Sequence, residues 1–309
     1  MRILITGVSG FVGARLVPRL LRDDHELRGF ARDAQRVAVD VPLAIGDVLS
    51  GVGLDAALEG IDVAYYLIHS MEPTTDGADG AFSIREQAAA ERFAAAARAA
   101  GVTRIVYLGG LVPREHAPSA HLGSRLAVER TLLDAVPGST ALRASIVIGA
   151  GSRSFRFMVR LVERMPLVAL PAWREHRTQP IDERDVIELL ARVATADAVA
   201  GRSLDVAGPD VVTYGELIER IRDLLLLRRP LLRLRRTPAP AALASRVAAA
   251  IAGERHELVG PLMASLATDL LPRPDDATAQ LLGVRLHSLD AAIEHALGEW
   301  EADEPLAAR

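Results

Sequence analysis

The chain has 309 residues and contains no cysteine, no lysine and no asparagine. Without cysteine there is no disulfide, no thiol nucleophile and no thiolate metal ligand. Without the other two, any mechanism that needs a lysine amine or an asparagine amide is excluded. All 36 basic residues other than histidine are arginines. No run approaches the ~18 uninterrupted apolar residues of a membrane span. The opening MRILITG enters a strand pattern directly, without the apolar stretch and cleavage site of a secretory signal, so a cytoplasmic protein is expected. A net charge of −4 and the lack of a basic patch rimmed by aromatics argue against nucleic acid as the main partner. The basic stretch RRPLLRLRR (228–236) reads as a solvated loop or edge strand, with contact to an anionic membrane surface as the lesser alternative. No His, Asp or Glu set has metal-ligand spacing, so no metal is expected. The nucleophile elbow GxSxG is also missing.

What is present is rhythm. Apolar runs at 2–6, 26–31, 41–45, 63–68, 104–109 and 140–148 alternate with helical patterns at 10–22, 54–59, 81–100 and 119–135. The runs are mostly apolar rather than alternating, as in strands covered on both faces. This predicts an α/β fold, a doubly wound parallel sheet with right-handed crossovers. After about residue 150 the pattern changes to amphipathic helices and proline-rich connections, with a late strand near 203–207. Thr213 and Glu216 have the spacing of a capping box. We read 1–150 as a nucleotide-binding core. Residues 151–309 then form a smaller, mainly helical substrate-side region, partly interleaved with that core.

The segment ILITGVSGFVGARL places Gly7, Gly10 and Gly13 after the first strand and at the start of a helix, the context of a dinucleotide fingerprint. Such glycines allow a tight turn, close approach of backbone to pyrophosphate, and close packing of helix on strand. Thr6, Ser9, Phe11 and Val12 complete the expected contact set. The alternative is a tight turn without ligand. The second strand ends in Arg32 and Asp33. An arginine there can fork onto a 2′-phosphate, so NADP(H) is favoured, with NAD(H) possible if Asp33 holds the ribose instead. Asp47 and Val48, after the third strand, are placed to flank an adenine; Asp47 can equally cap the next helix.

These motifs, with VAYYLIHSM, AGVTRIVYLGGL, HLGSRLAVE, LRASIVIGAGS, TQPIDERDV and VAGPDVVTYGEL, resemble atypical or extended short-chain dehydrogenases/reductases, NAD(P)H-binding and NmrA-like, over roughly residues 1–220. The resemblance implies a Rossmann core, a nicotinamide cofactor and a pocket for a small-molecule substrate roofed by the C-terminal region. It also raises a homodimer through the helices flanking strands four and five. The family's catalytic set is a Ser or Thr after the fifth strand, a Tyr, and a Lys four residues beyond it. Here Gly109 and Gly110 stand at the hydroxyl position, His121 at the tyrosine position and Arg125 at the lysine position. None of Tyr65, Tyr66, Tyr107 and Tyr214 can restore the motif, since no lysine exists to follow one.

His121 and Arg125, four apart, share a helix face; Arg125, always charged, could hold a ribose or phosphate oxygen and lower the pKa of His121. An imidazole with its ordinary pKa near ~6.5 can give a proton to a nascent alkoxide. The alternative is a satisfied polar residue at a helix start. His69, after the fourth strand, is a second proton-donor candidate or a loop hydrogen-bond partner. Leu67, Ile68, Gly109, Ser145 and Ile146 lie at carboxyl ends of strands, where open α/β sheets place ligands. Trp173, Arg174, His176 and Arg177 are candidates to line a substrate pocket. Two functions fit: an NAD(P)H-dependent oxidoreductase acting on a small carbonyl, quinone or enone, and a non-catalytic NADP(H)-binding redox sensor or scaffold.

Overall fold

A computed structural model describes residues 1–68, 79–113, 117–165, 167–170, 172–233, 266–274 and 277–304. The first half runs β1 (Arg2–Thr6), α1 (Phe11–Leu21), β2 (Glu26–Ala31), β3 (Leu43–Ile45), α2 (Leu54–Leu58), β4 (Val63–Tyr66), α3 (Asp79–Ala99), β5 (Arg104–Gly110), α4 (Ala120–Ala135) and β6 (Thr140–Ala144). These match the apolar runs and helical patterns read from sequence, with ends differing by one to a few residues.

The long run 140–148 is the exception, and it forms two strands rather than one. After β6 the chain leaves the main sheet, and β7 (Val147–Ile148) pairs with β10 (Ile181–Asp182) instead. The Ser145 N–H still reaches the Val206 carbonyl (3.0 Å), whereas the next carbonyl, that of Ile146, accepts from Ile181 N–H (2.9 Å). Apolar periodicity does not distinguish two strands joined by such a bend from one continuous strand.

The remaining elements are α5 (Arg153–Arg164), β8 (Val168–Leu170), β9 (Arg177–Thr178), α6 (Glu183–Val193), β11 (Ser203–Val206), β12 (Val212–Thr213), α7 (Tyr214–Leu224), β13 (Leu231–Arg233), α8 (Thr278–Leu281) and α9 (Leu289–Asp303). The stretch 228–236 thus contributes a short strand, paired with β8, and residues 234–236 lie outside the described set. The capping box forms: Thr213 Oγ1 accepts from Glu216 N–H (3.1 Å) and Glu216 Oε2 from Thr213 N–H (2.7 Å).

The main sheet has seven parallel strands in the order β3-β2-β1-β4-β5-β6-β11. This is the doubly wound Rossmann arrangement, with its topological switch between β1 and β4. Alternate residues of each central strand are buried on opposite faces, as the continuous apolar runs require. Ile3, Ile5, Val63 and Tyr65 pack with α1 and α6 on one face, while Leu4, Ala64, Tyr66 and Tyr107 pack with α2, α3 and α4 on the other. Each fully buried Ile or Leu contributes roughly 2 kcal/mol. A third cluster, built on Phe155, Val159, Leu217, Ile293 and Trp300, joins α5, α7 and α9 beside the sheet. Among the described residues no helix is long and apolar enough to cross a membrane.

Candidate functional site

A cleft of about 780 Å³ opens along the carboxyl ends of the strands. Its walls come from the turn after β1 and the ends of β2, β4, β5 and β6, so it crosses the switch point where such sheets bind ligands. Ser9, Phe11, Val12, Arg32, Asp47, Val48, Leu67, Ile68, Gly109, Ser145, Ile146, His121 and Arg125 all line it, together with Gly7, Gly10 and Gly13. Thr6 does not. It is fully buried and its hydroxyl ties β1 to β4, donating to the Tyr65 carbonyl (2.8 Å) and accepting from Leu67 N–H (3.2 Å). His69 lies outside the described residues.

The glycine turn is shaped for a bound anion. Gly7 has φ +70°, and a Cβ there would lie 2.7 Å from the Leu67 carbonyl oxygen. A Cβ on Gly13 would lie 2.3 Å from the Gly7 carbonyl oxygen, so helix and turn approach as only glycine permits. Gly10 caps α1 without a side-chain acceptor, and no acidic residue sits in the first turn. The first N–H groups and the positive end of the helix dipole therefore have no negative partner from this capping position or first turn, and a phosphate would supply one.

On the β2–β3 side, Asp33 is committed to local structure. Its carboxylate accepts from Gln35 N–H (2.9 Å) and caps the 3₁₀ turn Ala34–Arg36. That turn brings Arg36, which the sequence reading missed, into the cleft wall beside Arg32. The signal was present in RDAQR, an Asp able to cap a turn with an arginine three residues on. Asp47 likewise folds its own loop, accepting from Leu49 N–H (3.0 Å); the helix α2 is capped by Gly53 instead.

On the other side, Ser119 caps α4 and sets His121 and Arg125 on one face. Arg125 Nε donates to His121 Nε2 (3.0 Å). Since arginine can only donate, that bond fixes the tautomer with the proton on Nδ1. Burial, helped by the Arg125 charge, pushes the imidazole down to about 4. His121 is therefore neutral at physiological pH, and the imidazolium proton donor expected from an ordinary histidine is replaced by a neutral hydrogen-bond donor. All four tyrosines are at most 2% exposed and none is in the cleft wall. Trp173, Arg174, His176 and Arg177 are not in it either. Trp173 packs edge-on against Tyr214, and Arg177 pairs with Asp269 (2.8 Å).

Directly behind the turn lies a charged cluster drawn from three distant segments. Arg15 bridges Glu183 (2.9 Å) and Glu299 (2.8 Å), and the Phe11 ring covers the guanidinium at 5.2 Å. Burial pushes the Glu183 carboxyl up to about 8, with Arg15 opposing. Ligand atoms of Glu183, His295 and Glu299 lie within 4.8 Å of one another, a grouping no sequence spacing announced. The guanidinium already holds both carboxylates there.

Residues 7–145 match the family described as NAD(P)H-binding. That match covers less than half of the chain. A 3-beta-hydroxysteroid dehydrogenase from Mycolicibacterium neoaurum is 33% identical over 114 residues, 34% of this chain and 31% of that protein. The matched stretch is thus about a third of the length of the curated relatives. Over the whole chain the similarity is one of shape. The solved structure of gox2253 superposes with a TM-score of 0.77 at 18% identity, covering 98% of this chain and 99% of that one. A short-chain dehydrogenase/reductase superfamily protein from Agrobacterium tumefaciens, solved with bound NAD, gives 0.72 at 16%, covering 98% of each chain. Both share with this chain the Rossmann-like α/β fold.

Proposed function

We propose that this protein is an NADP(H)-dependent oxidoreductase that reduces a small carbonyl, quinone or enone without a Ser-Tyr-Lys triad. The observation that carries the reading is the single cleft that joins the glycine turn and the Arg32–Arg36 pair to His121 and Arg125. The residues fit a dinucleotide: the turn would receive pyrophosphate, and two arginines stand on the adenosine side, where a 2′-phosphate would lie. Arg32 and Arg36 line the cleft whereas Asp33, with one carboxylate oxygen engaged in its cap, does not, which favours NADP(H) over NAD(H).

When bound, a reduced nicotinamide supplies a hydride to the carbonyl carbon. The chain's own part is to orient and polarise. His121, held neutral, offers Nδ1–H to the oxygen on which negative charge grows, while Arg125 fixes the tautomer and keeps the ring neutral. Ser145 and Ile146 form the facing wall. The final proton comes from solvent, a route that suits quinones because hydroquinone oxygens need less help from a dedicated acid.

The same neutral histidine, with glycines at positions 109 and 110, also favours a second reading: a sensor or scaffold that binds NADP(H) without turnover. Loss of NADPH absorbance in the presence of a panel of quinones, enones and carbonyls decides between them. The oxidoreductase reading expects turnover that falls ~10²-fold in His121→Ala. Tight NADPH binding with no oxidation across the panel supports the sensor.

A further inference from the structure

The cleft carries a charge the cofactor does not use. The protein is net negative at −4, yet of the five formally charged residues in the described cleft wall four are arginines, Arg32, Arg36, Arg125 and Arg153, and the one acid is Asp47. The sheet order sorts them. Arg32, Arg36 and Asp47 follow β2 and β3, on the adenosine side of the switch point, whereas Arg125 and Arg153 follow β5 and β6, on the opposite side. A dinucleotide laid across the switch point has its phosphates at the turn and, for NADP(H), at the Arg32–Arg36 end. Reduced nicotinamide, at the far end, is neutral. The two arginines there face no cofactor charge.

Arg125 is engaged with His121. Arg153 differs: it is exposed, and no carboxylate or other hydrogen-bond partner is recorded against its side chain among the described residues. Arg15, Arg19, Arg143, Arg160, Arg184 and Arg273 are paired with acids, whereas Arg153, like Arg36 at the other end of the cleft, is paired with no acid among the described residues. Leu111, Leu122, Ile146, Phe157 and Leu270 give the same cleft wall apolar surface. Leu270 arrives from the far C-terminal segment through its bridge to Thr178.

Resting on the oxidoreductase reading, the geometry points to an anionic substrate: a carbonyl compound with an apolar body and a carboxylate, the carboxylate held by Arg153 and the carbonyl presented to His121. A guanidinium fork matches a carboxylate in two parallel hydrogen bonds. The apolar residues of the wall take the body, and the one acid among the described lining residues, Asp47, stands on the adenosine side.

The test uses ligand binding, so that it does not depend on turnover. The protein is saturated with NADP⁺ and titrated with anthraquinone-2-carboxylate and with its neutral methyl ester, for the wild type and for Arg153→Gln. The expected result is carboxylate binding at least ~10-fold tighter than the ester in the wild type. In Arg153→Gln that preference disappears, with ester affinity and NADP⁺ affinity unchanged. No preference in the wild type, or a preference that survives in Arg153→Gln, overturns the proposal. A loss of NADP⁺ affinity in Arg153→Gln, with the carboxylate preference intact, also overturns it by assigning the arginine to the cofactor's pyrophosphate. Arg153-dependent carboxylate binding without any NADPH oxidation leaves the anion subsite standing and removes the oxidoreductase reading alone.

Discussion

The same substitution, glycine to alanine, should act with opposite sign at two helical positions of this chain. At Gly13, in the first turn of α1, the added Cβ would lie 2.3 Å from the Gly7 carbonyl oxygen, 2.9 Å from its carbon and 3.0 Å from Val8 Cα. All three are backbone atoms of the turn, so no flexible side chain can yield. The helix must move by close to an ångström, and overpacking of this kind costs about 1–3 kcal/mol. At Gly123, inside α4, a Cβ meets nothing within 4 Å, so alanine gains helix propensity of about 0.5–1 kcal/mol. For a chain of this size 1 kcal/mol is about 2 °C in melting temperature. Gly13→Ala should therefore melt about 2–6 °C below the wild type and Gly123→Ala about 1–2 °C above it. Because the displaced helix end is also the proposed pyrophosphate site, NADPH affinity should fall at least ~10-fold in Gly13→Ala, equivalent to about 1.4 kcal/mol, and stay unchanged in Gly123→Ala. Melting curves and NADPH fluorescence titrations read both effects. A Gly13→Ala protein that melts and binds like the wild type would refute the close approach on which the cofactor assignment rests.

Three further expectations follow from the cleft and the cluster behind it. Replacing Arg32 and Arg36 together by alanine should raise the Kd for NADPH about 10–100-fold and leave that for NADH unchanged, the loss of charge-assisted hydrogen bonds to one phosphate; equal losses for both cofactors would point away from a 2′-phosphate site. Because His121 sits at about 4, kcat/KM should show no His121-dependent step near neutrality, and an inflection close to pH ~6.5 that vanishes in His121→Ala would contradict the neutral imidazole. Glu183 is displaced the other way: between the ordinary carboxylate value of 4.5 and about 8 the native protein holds a proton that the unfolded chain has released, so its contribution to stability is lost as pH rises through that window. Glu183→Gln should accordingly gain melting temperature relative to the wild type as pH goes from about 5 to 9, and parallel profiles would disprove the shift.

The Rossmann order was legible because each strand of the first half is a short apolar run bounded by turn residues, and each intervening helix carries its own start or stop signal. The pyrophosphate turn was legible for the same local reason, since strand, glycines and helix are contiguous. Sites assembled from distant segments were not. Nothing in GSRSF says that Arg153 shares a wall with His121, and nothing near residue 270 announces that Leu270 closes it. The Glu183–Arg15–Glu299 cluster spans 284 positions from first to last member. The state of His121 was legible in part: the Arg125 charge four residues on predicts a downward push, but the larger push comes from burial, which only the folded environment decides.

The outermost strand of the sheet has a practical consequence. Ala141 N–H is bonded to Arg202 carbonyl (3.0 Å), so β6 is closed on its far side by chain that arrives some sixty residues later. A fragment truncated near residue 150 would keep the proposed nucleotide contacts yet bare that backbone edge, and would strip α6 from Ile5 and Leu16. Such an excised half is a template for strand addition between copies and is expected to aggregate before it binds anything. Anyone wishing to study the dinucleotide grip in isolation must carry the later segment along with it.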